Sequence, residues 1–207
     1  MYARSTTITA DPQRMDDGIR MVRDEVMPAV QGMPGCVGLS MLVDRTSGRC
    51  IVTTSWDSME SMAATTDRTQ DMRERVRDTM GGRDMSVDQW EVAGMHRSHS
   101  PGDDACARVT WTRGDPAMME RTLDAFRMTM IPEMEDVPGF CSLSLMVDRN
   151  AGRGSLTVVW RDRQAMDDSR ATVMERRERF TREMGMEVTD VAEFELAIHH
   201  LRVPEMA

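Results

Sequence analysis

Pro34-Gly35-Cys36-Val37-Gly38-Leu39-Ser40-Met41-Leu42-Val43-Asp44-Arg45 returns 104 residues downstream as Pro138-Gly139-Phe140-Cys141-Ser142-Leu143-Ser144-Leu145-Met146-Val147-Asp148-Arg149. Working outward at the same offset, Gly48-Arg49 falls on Gly152-Arg153, Trp56 on Trp160, and Met80-Gly81 on Met184-Gly185. Glu91 falls on Glu195 and His96 on His200, and residues 3–97 align with 107–201 without a gap. A period this long means two copies of a small domain, not a solenoid of short units. The division reads as a first repeat over 1–97, a linker over 98–104 (Ser98 to Asp104), and a second repeat over 105–207. Modules of that size have modest cores and gain by packing on one another.

Each copy has the same order of signals. Residues 3–9 and 107–113 alternate like strands. Asp11-Pro12 and Asp115-Pro116 mark helix starts, aspartate as N-cap and proline at the first helical position. Met15, Ile19, Val22 and Val26 then form one apolar stripe, matched by Met119, Leu123, Phe126 and Met130. In the quoted segment Val37, Leu39, Met41 and Val43 alternate with Cys36, Gly38, Ser40 and Leu42. A hairpin with Gly48 in a positive-φ position leads to strands over 50–56 and 154–160. Ser58 and Asp162 cap a second helix over 59–80 and 163–184, with Met62, Thr69, Val76 and Met80 buried in the first copy. A last strand closes each copy, over 86–97 and 190–202. The order β-α-β-β-α-β is the ferredoxin-like arrangement. Its sheet has one face under helices and one bare, so the class is α+β, with two repeats packed sheet to sheet as one intrachain barrel.

Composition narrows the partners. A formal charge of −9 and a sequence pI of about 5.0 argue against nucleic acid and anionic membranes. All 26 basic residues are arginine, which removes Schiff-base and P-loop lysine chemistry. Methionine, at 23 residues, occupies positions where leucine is usual, and its flexible thioether fills a core adequately. Cys36, Cys50, Cys106 and Cys141 do not match across the repeat, so free thiols are expected. With no apolar leader or membrane-length run, a cytoplasmic protein is the expectation.

The candidate site residues are polar or aromatic groups present in both copies. His96 and His200 lie on the last strand, with Trp90 on the same face as His96 and Glu91 on the other. They suit an acid–base or haem-ligating role, against a structural reading as strand-end histidines. Arg4 and Arg108 could recognise an acidic or quinone-like oxygen, or simply pair with Glu91 and Glu195. Trp56 and Trp160 could stack on a flat ligand or pack at the helix junction. The arginine-rich stretches Arg73-Glu74-Arg75 and Arg176-Arg177-Glu178-Arg179 could grip a phosphate or carboxylate ligand, against a structural reading as solvated helix faces. No metal site and no cofactor is expected, and no residue is assigned a catalytic role.

Pro34 to Ser40, the Asp44-Arg45…Gly48-Arg49 hairpin, and Thr54-Ser55-Trp56-Asp57-Ser58-Met59-Glu60-Ser61-Met62 together resemble the dimeric α/β-barrel superfamily. They resemble most the domain of antibiotic-biosynthesis monooxygenases, here in tandem. The resemblance covers nearly the whole chain and implies a small-molecule protein that binds or oxidises a flat, apolar, quinone- or polyketide-like compound without metal or flavin. It leaves open a non-catalytic binding or structural barrel, and haem binding through a histidine. The haem-degrading members carry a first-strand asparagine and a tryptophan and histidine on the second helix. Here the first strands read Arg4-Ser5-Thr6 and Arg108-Val109-Thr110, and neither second helix holds Trp or His. The assembly implied is a monomer with an internal pseudo-dimer, or a homodimer of such chains.

Overall fold

The computed structural model describes residues 1–201, and the side chain of Leu201 lies outside what it describes. The first copy runs β1 (Tyr2–Thr9), α1 (Met15–Met21), α2 (Met27–Gln31), β2 (Cys36–Val43), β3 (Arg49–Trp56), α3 (Met59–Ala64), α4 (Thr66–Thr79) and β4 (Asp84–Arg97). The second runs β5 (Cys106–Arg113), α5 (Met119–Ala125), α6 (Ile131–Glu135), β6 (Phe140–Asp148), β7 (Arg153–Trp160), α7 (Arg163–Asp168), α8 (Arg170–Glu183) and β8 (Glu187–Leu201). The described part of the last strand thus ends at Leu201, and the position beyond it in the expected 190–202 strand lies outside the described residues.

The caps form as the sequence implies. Asp11 accepts from the Gln13 N–H, Asp115 from Ala117, Ser58 from Ser61 and Asp162 from Ala165. Both expected helices are broken, however, and in the same places in each copy. The first widens to a π turn over Val22–Val26 and again over Phe126–Met130. Pro28 and Pro132 follow these turns and cannot donate to the preceding carbonyls, so the ladder re-registers, with Met27 N–H reaching back to Val22. The second is interrupted at Thr65 and Ser169, whose hydroxyls bond the carbonyls of Met62 and Met166 at 2.8 and 3.0 Å. A side chain that competes for the backbone in this way ends a helix turn.

The strands are hydrogen-bonded in the closed order β1-β3-β2-β8-β5-β7-β6-β4. The chain divides into two compact units, Met1–Trp90 with the last strand from Glu195 onward, and Glu91–Phe194. In the first unit β2 pairs antiparallel with the end of β8, from Val43 opposite Glu195 to Gly38 opposite Leu201. In the second, β6 pairs the same way with the end of β4, from Val147 opposite Glu91 to Ser142 opposite Arg97.

Each unit has its own core beneath its helices. The first gathers Ile8, Met15, Val22, Leu39, Met41, Trp56, Met62, Val76, Met80 and Ile198. The second gathers Phe126, Met130, Met134, Phe140, Leu143, Val158, Trp160 and Met166. Met15, Met62, Met80, Met134 and Met166 are all at most 1 % exposed, the burial expected where methionine stands in for leucine. Fully burying one such side chain is worth roughly 1.5–3 kcal/mol.

Candidate functional site

In each unit a pocket opens between the helices and the sheet, and the same positions build it twice. In the first, β1 contributes Arg4, Thr6 and Ile8, which share a face because strand side chains alternate. Val52 and Thr54 of β3 continue that face; Val22, Val26 and Val30 roof it, and Thr69, Arg73 and Val76 of α4 wall it at helical spacing. The cavity measures about 40 Å³. In the second unit Arg108, Thr110, Leu156, Val158, Met130, Met134, Val173 and Arg177 take the equivalent places, joined by Arg170, Met174 and Val191. That cavity measures about 170 Å³.

Arg4 is buried, 3 % exposed, and its guanidinium donates to three neutral oxygens. Nη1 reaches Thr69 Oγ1 at 2.9 Å, and Nη2 reaches the Met62 carbonyl at 2.7 Å and Thr66 Oγ1 at 3.0 Å. It thereby caps the Met62 carbonyl of α3 at the break that Thr65 makes. Burial, and then the positive charge of Arg73, hold its pKa below the usual arginine value. Arg73 donates Nη1 to Thr69 at 2.8 Å, while its buried Nε has no acceptor.

The second copy solves the same problem differently. Arg108 keeps the helix-capping bond, Nη2 to the Met166 carbonyl at 3.2 Å. Valine replaces Thr69 at position 173, so Arg108 instead donates Nε to Glu193 Oε1 at 3.0 Å. Arg163 and Arg170 bond the same carboxylate, at 3.0 and 2.7 Å. Burial acts to raise the Glu193 pKa, but the hydrogen bonds from Arg170 and Arg108 prevail and keep it below the usual carboxylate range. Arg177 repeats Arg73: its Nε is buried without an acceptor.

Of the residues singled out from sequence, only Arg4 and Arg108 line these pockets. The expectation that they pair with Glu91 and Glu195 is overturned: among the described residues Arg4 bonds no acid, Arg108 bonds Glu193, and the two glutamates go to Arg149 and Arg45. Trp56 and Trp160 are wholly buried at the core, Trp56 donating to Thr54 Oγ1 at 3.2 Å and Trp160 lying edge-on to Phe140. His96 pairs with Glu135 Oε1 at 2.7 Å and stacks on Phe140. His200, half-buried, stands opposite Leu39.

Trp90 donates to Ser5 Oγ at 2.8 Å, on the sheet face opposite the Arg4 pocket. The expected shared face of Trp90 and His96 does not hold. A register shift between Val92 and Gly94 inserts an extra residue, so His96 comes opposite Leu143, on the helix-covered side with Glu91 opposite Val147. Sequence reading missed Thr6 and Thr110, and weighed Arg73 and Arg177 as solvated faces more than as an anion grip. Their signal was present, since each pair matches at the 104-residue offset, yet the neighbouring glutamates made the arginine runs look solvated.

Among the described residues no group of three or more His, Cys, Asp or Glu side chains is placed to hold a metal ion. No helix is long and apolar enough to cross a membrane.

A closed antiparallel sheet of two βαββαβ repeats, each with a pocket under its helices, defines an α/β-barrel protein of the dimeric-barrel type. The sequence model described as "Antibiotic biosynthesis monooxygenase" matches residues 108–177. Two relatives from Mycobacterium tuberculosis match along the full chain: the uncharacterized protein Rv2558, 48 % identical over 207 residues and 87 % of its length, and the uncharacterized protein Rv2557, 43 % identical over 206 residues and 92 % of its length. Among solved structures, an anthrone oxidase-like protein aligns with TM-score 0.69 at 16 % identity, covering 100 % of this chain and 95 % of that one. A heme-degrading enzyme from Listeria monocytogenes aligns with TM-score 0.55 at 10 % identity, covering 95 % and 99 %. At such identities the likeness is one of fold. The chain belongs to one family with the two Mycobacterium tuberculosis proteins, and its residues 108–177 match the antibiotic biosynthesis monooxygenase domain.

Proposed function

We propose that the second repeat binds a small, flat, mostly apolar molecule bearing one acidic oxygen, and that dioxygen oxidises the bound anion without metal or flavin. The observation that carries this is the cavity of about 170 Å³, walled by Met130, Met134, Leu156, Val158 and Val173 and ending on Arg108 and Arg177. An apolar cavity of roughly 150 Å³ takes a benzene-sized ring. The unpartnered Nε of Arg177 would donate to an oxyanion. Glu193, tied by three arginines, is a weak base, so the site works by stabilising an anion that is already acidic rather than by removing a proton itself. The oxidation consumes one dioxygen, converting a ring CH₂ to C=O and releasing the second oxygen atom as water. The first repeat, at about 40 Å³, has no room for a ring.

The engagement of Glu193 also favours a second reading, binding without turnover. Resorcinol, a single-ring phenol of the size this cavity admits, separates the two. Tryptophan-fluorescence titration is expected to show saturable binding that Val173→Trp, which fills the cavity, abolishes. An oxygen electrode is expected to record uptake above the buffer rate, reduced about tenfold or more in Arg177→Gln. Binding with no excess uptake retains the binding reading and removes the oxidation, and no binding overturns both.

A further inference from the structure

The first repeat's pocket holds two guanidinium groups and no acid. Arg4 donates only to Thr69, Thr66 and the Met62 carbonyl. Arg73 donates to Thr69 and keeps a buried Nε without an acceptor. Neither forms an ion pair with a carboxylate among the described residues; Glu74, the chain neighbour of Arg73, accepts from Gln70 at 3.1 Å. Val22, Val26, Val30 and Val52 supply an apolar wall. Cations held side by side against apolar side chains are costly unless an opposite charge joins them.

The second repeat shows what the missing charge is. There Glu193 meets Arg108 across the same two strands. The residue at the equivalent position in the first repeat is Gln89, uncharged and exposed. The space left beside Arg4 is about 40 Å³, and one water needs roughly 10–15 Å³ on the same measure. It therefore has room for roughly three water-sized atoms, which suits a halide or a planar oxyanion of three or four heavy atoms and excludes a phosphate ester or an aromatic acid.

We infer that the first repeat's pocket is a binding site for a small monovalent anion, of bromide, formate or nitrate size, held between the guanidinium of Arg4 and Nε of Arg73. The site is separate from the ring pocket of the second repeat and stands whether or not that pocket oxidises anything. The anion offsets the charge of Arg4 as Glu193 offsets that of Arg108, and it also reaches Arg73 Nε, whose counterpart on Arg177 is left unpaired by Glu193.

Crystals of the full chain soaked in sodium bromide test the placement directly. An anomalous peak in contact with Arg73 Nε is expected, and a map with no peak there overturns the inference. In solution, formate is exchanged for sulfate, too large for the cavity, at constant ionic strength. At ten times its dissociation constant formate is expected to raise Tm by about 3–5 °C. Arg68→Gln, on the exposed side of α4 and outside both pockets, keeps that rise. Arg73→Gln loses it, and Gln89→Glu loses it while raising Tm in formate-free buffer, which separates a lost site from a damaged fold. An equal formate response in the native chain and in Arg73→Gln overturns the site.

Discussion

Arg149 grips Glu91 with two parallel hydrogen bonds, Nε to Oε2 at 2.6 Å and Nη2 to Oε1 at 2.9 Å, and also bonds Glu120. The mirror pair is Arg45 with Glu195, Nε to Oε2 at 2.7 Å, Arg45 also bonding Asp16 at 2.8 Å. In both cases a hairpin arginine of one repeat holds the last strand of the other. The same hairpin-to-strand contact is thus made once in each unit.

The Arg149–Glu91 pair is about one-third exposed on each side and bidentate, so a double-mutant cycle with Arg149→Met and Glu91→Gln is expected to give a coupling of about 1 kcal/mol at pH 7. The more exposed Arg45–Glu195 pair should give about half that. Arg149 holds the Glu91 pKa below the usual carboxylate range. A depressed carboxylate stabilises the fold above its unfolded pKa of about 4.3, and the gain disappears as pH falls through the lower folded value. Urea titrations across pH 7 to 3 should therefore show the coupling vanish on the acid limb.

Trp56 and Trp160 are equivalent, but only Trp56 has a partner for its indole N–H. Thr54 supplies the acceptor, and Val158 occupies that place in the second copy, leaving Trp160 Nε1 buried without one. Val158→Thr is expected to stabilise the chain by about 1 kcal/mol, and Thr54→Val to destabilise it by a similar amount. Chemical denaturation of the two variants measures both signs.

Gly152 has φ +63°, and a Cβ there would stand 2.1 Å from the Gly114 carbonyl oxygen. Gly185 has nearly the same φ, +64°, with nothing within 4 Å. Gly185→Ala should cost about 1 kcal/mol for the left-handed backbone alone. Gly152→Ala should cost about 3 kcal/mol or more because backbone must also move. Thermal melts of both variants separate strain from collision.

Burial pushes the Cys50 thiol up to about 12, so almost no thiolate exists at pH 8. Modification of Cys50 by an aromatic disulfide reagent is expected to proceed at the global unfolding rate. Half-buried Cys36 should react sooner. Mass mapping of a time course at pH 8 assigns each thiol.

What the amino-acid sequence determines by itself is local and periodic: the doubled βαββαβ order, the Asp11, Ser58, Asp115 and Asp162 caps, the methionine-rich stripes and the positive-φ Gly48. Such features rest on side chains a few residues apart, and the duplication checks each of them against a second copy. The helix breaks at Val22–Val26 and Thr65 are equally local, and Pro28 and the Thr65 hydroxyl are their sequence traces.

The site was decided elsewhere. Arg4 meets Thr69 across 65 residues and Arg45 meets Glu195 across 150, distances over which no periodicity constrains partners. One inserted residue between Val92 and Gly94 was enough to turn His96 away from the face that strict alternation assigns it. Arg73 and Arg177 look solvated in the sequence because glutamates flank them, and become pocket walls only where α4 and α8 lie over the sheet. Alternation and helical spacing say which side chains share a face. Which charge that face meets depends on the strands and helices folded against it, and that is tertiary structure.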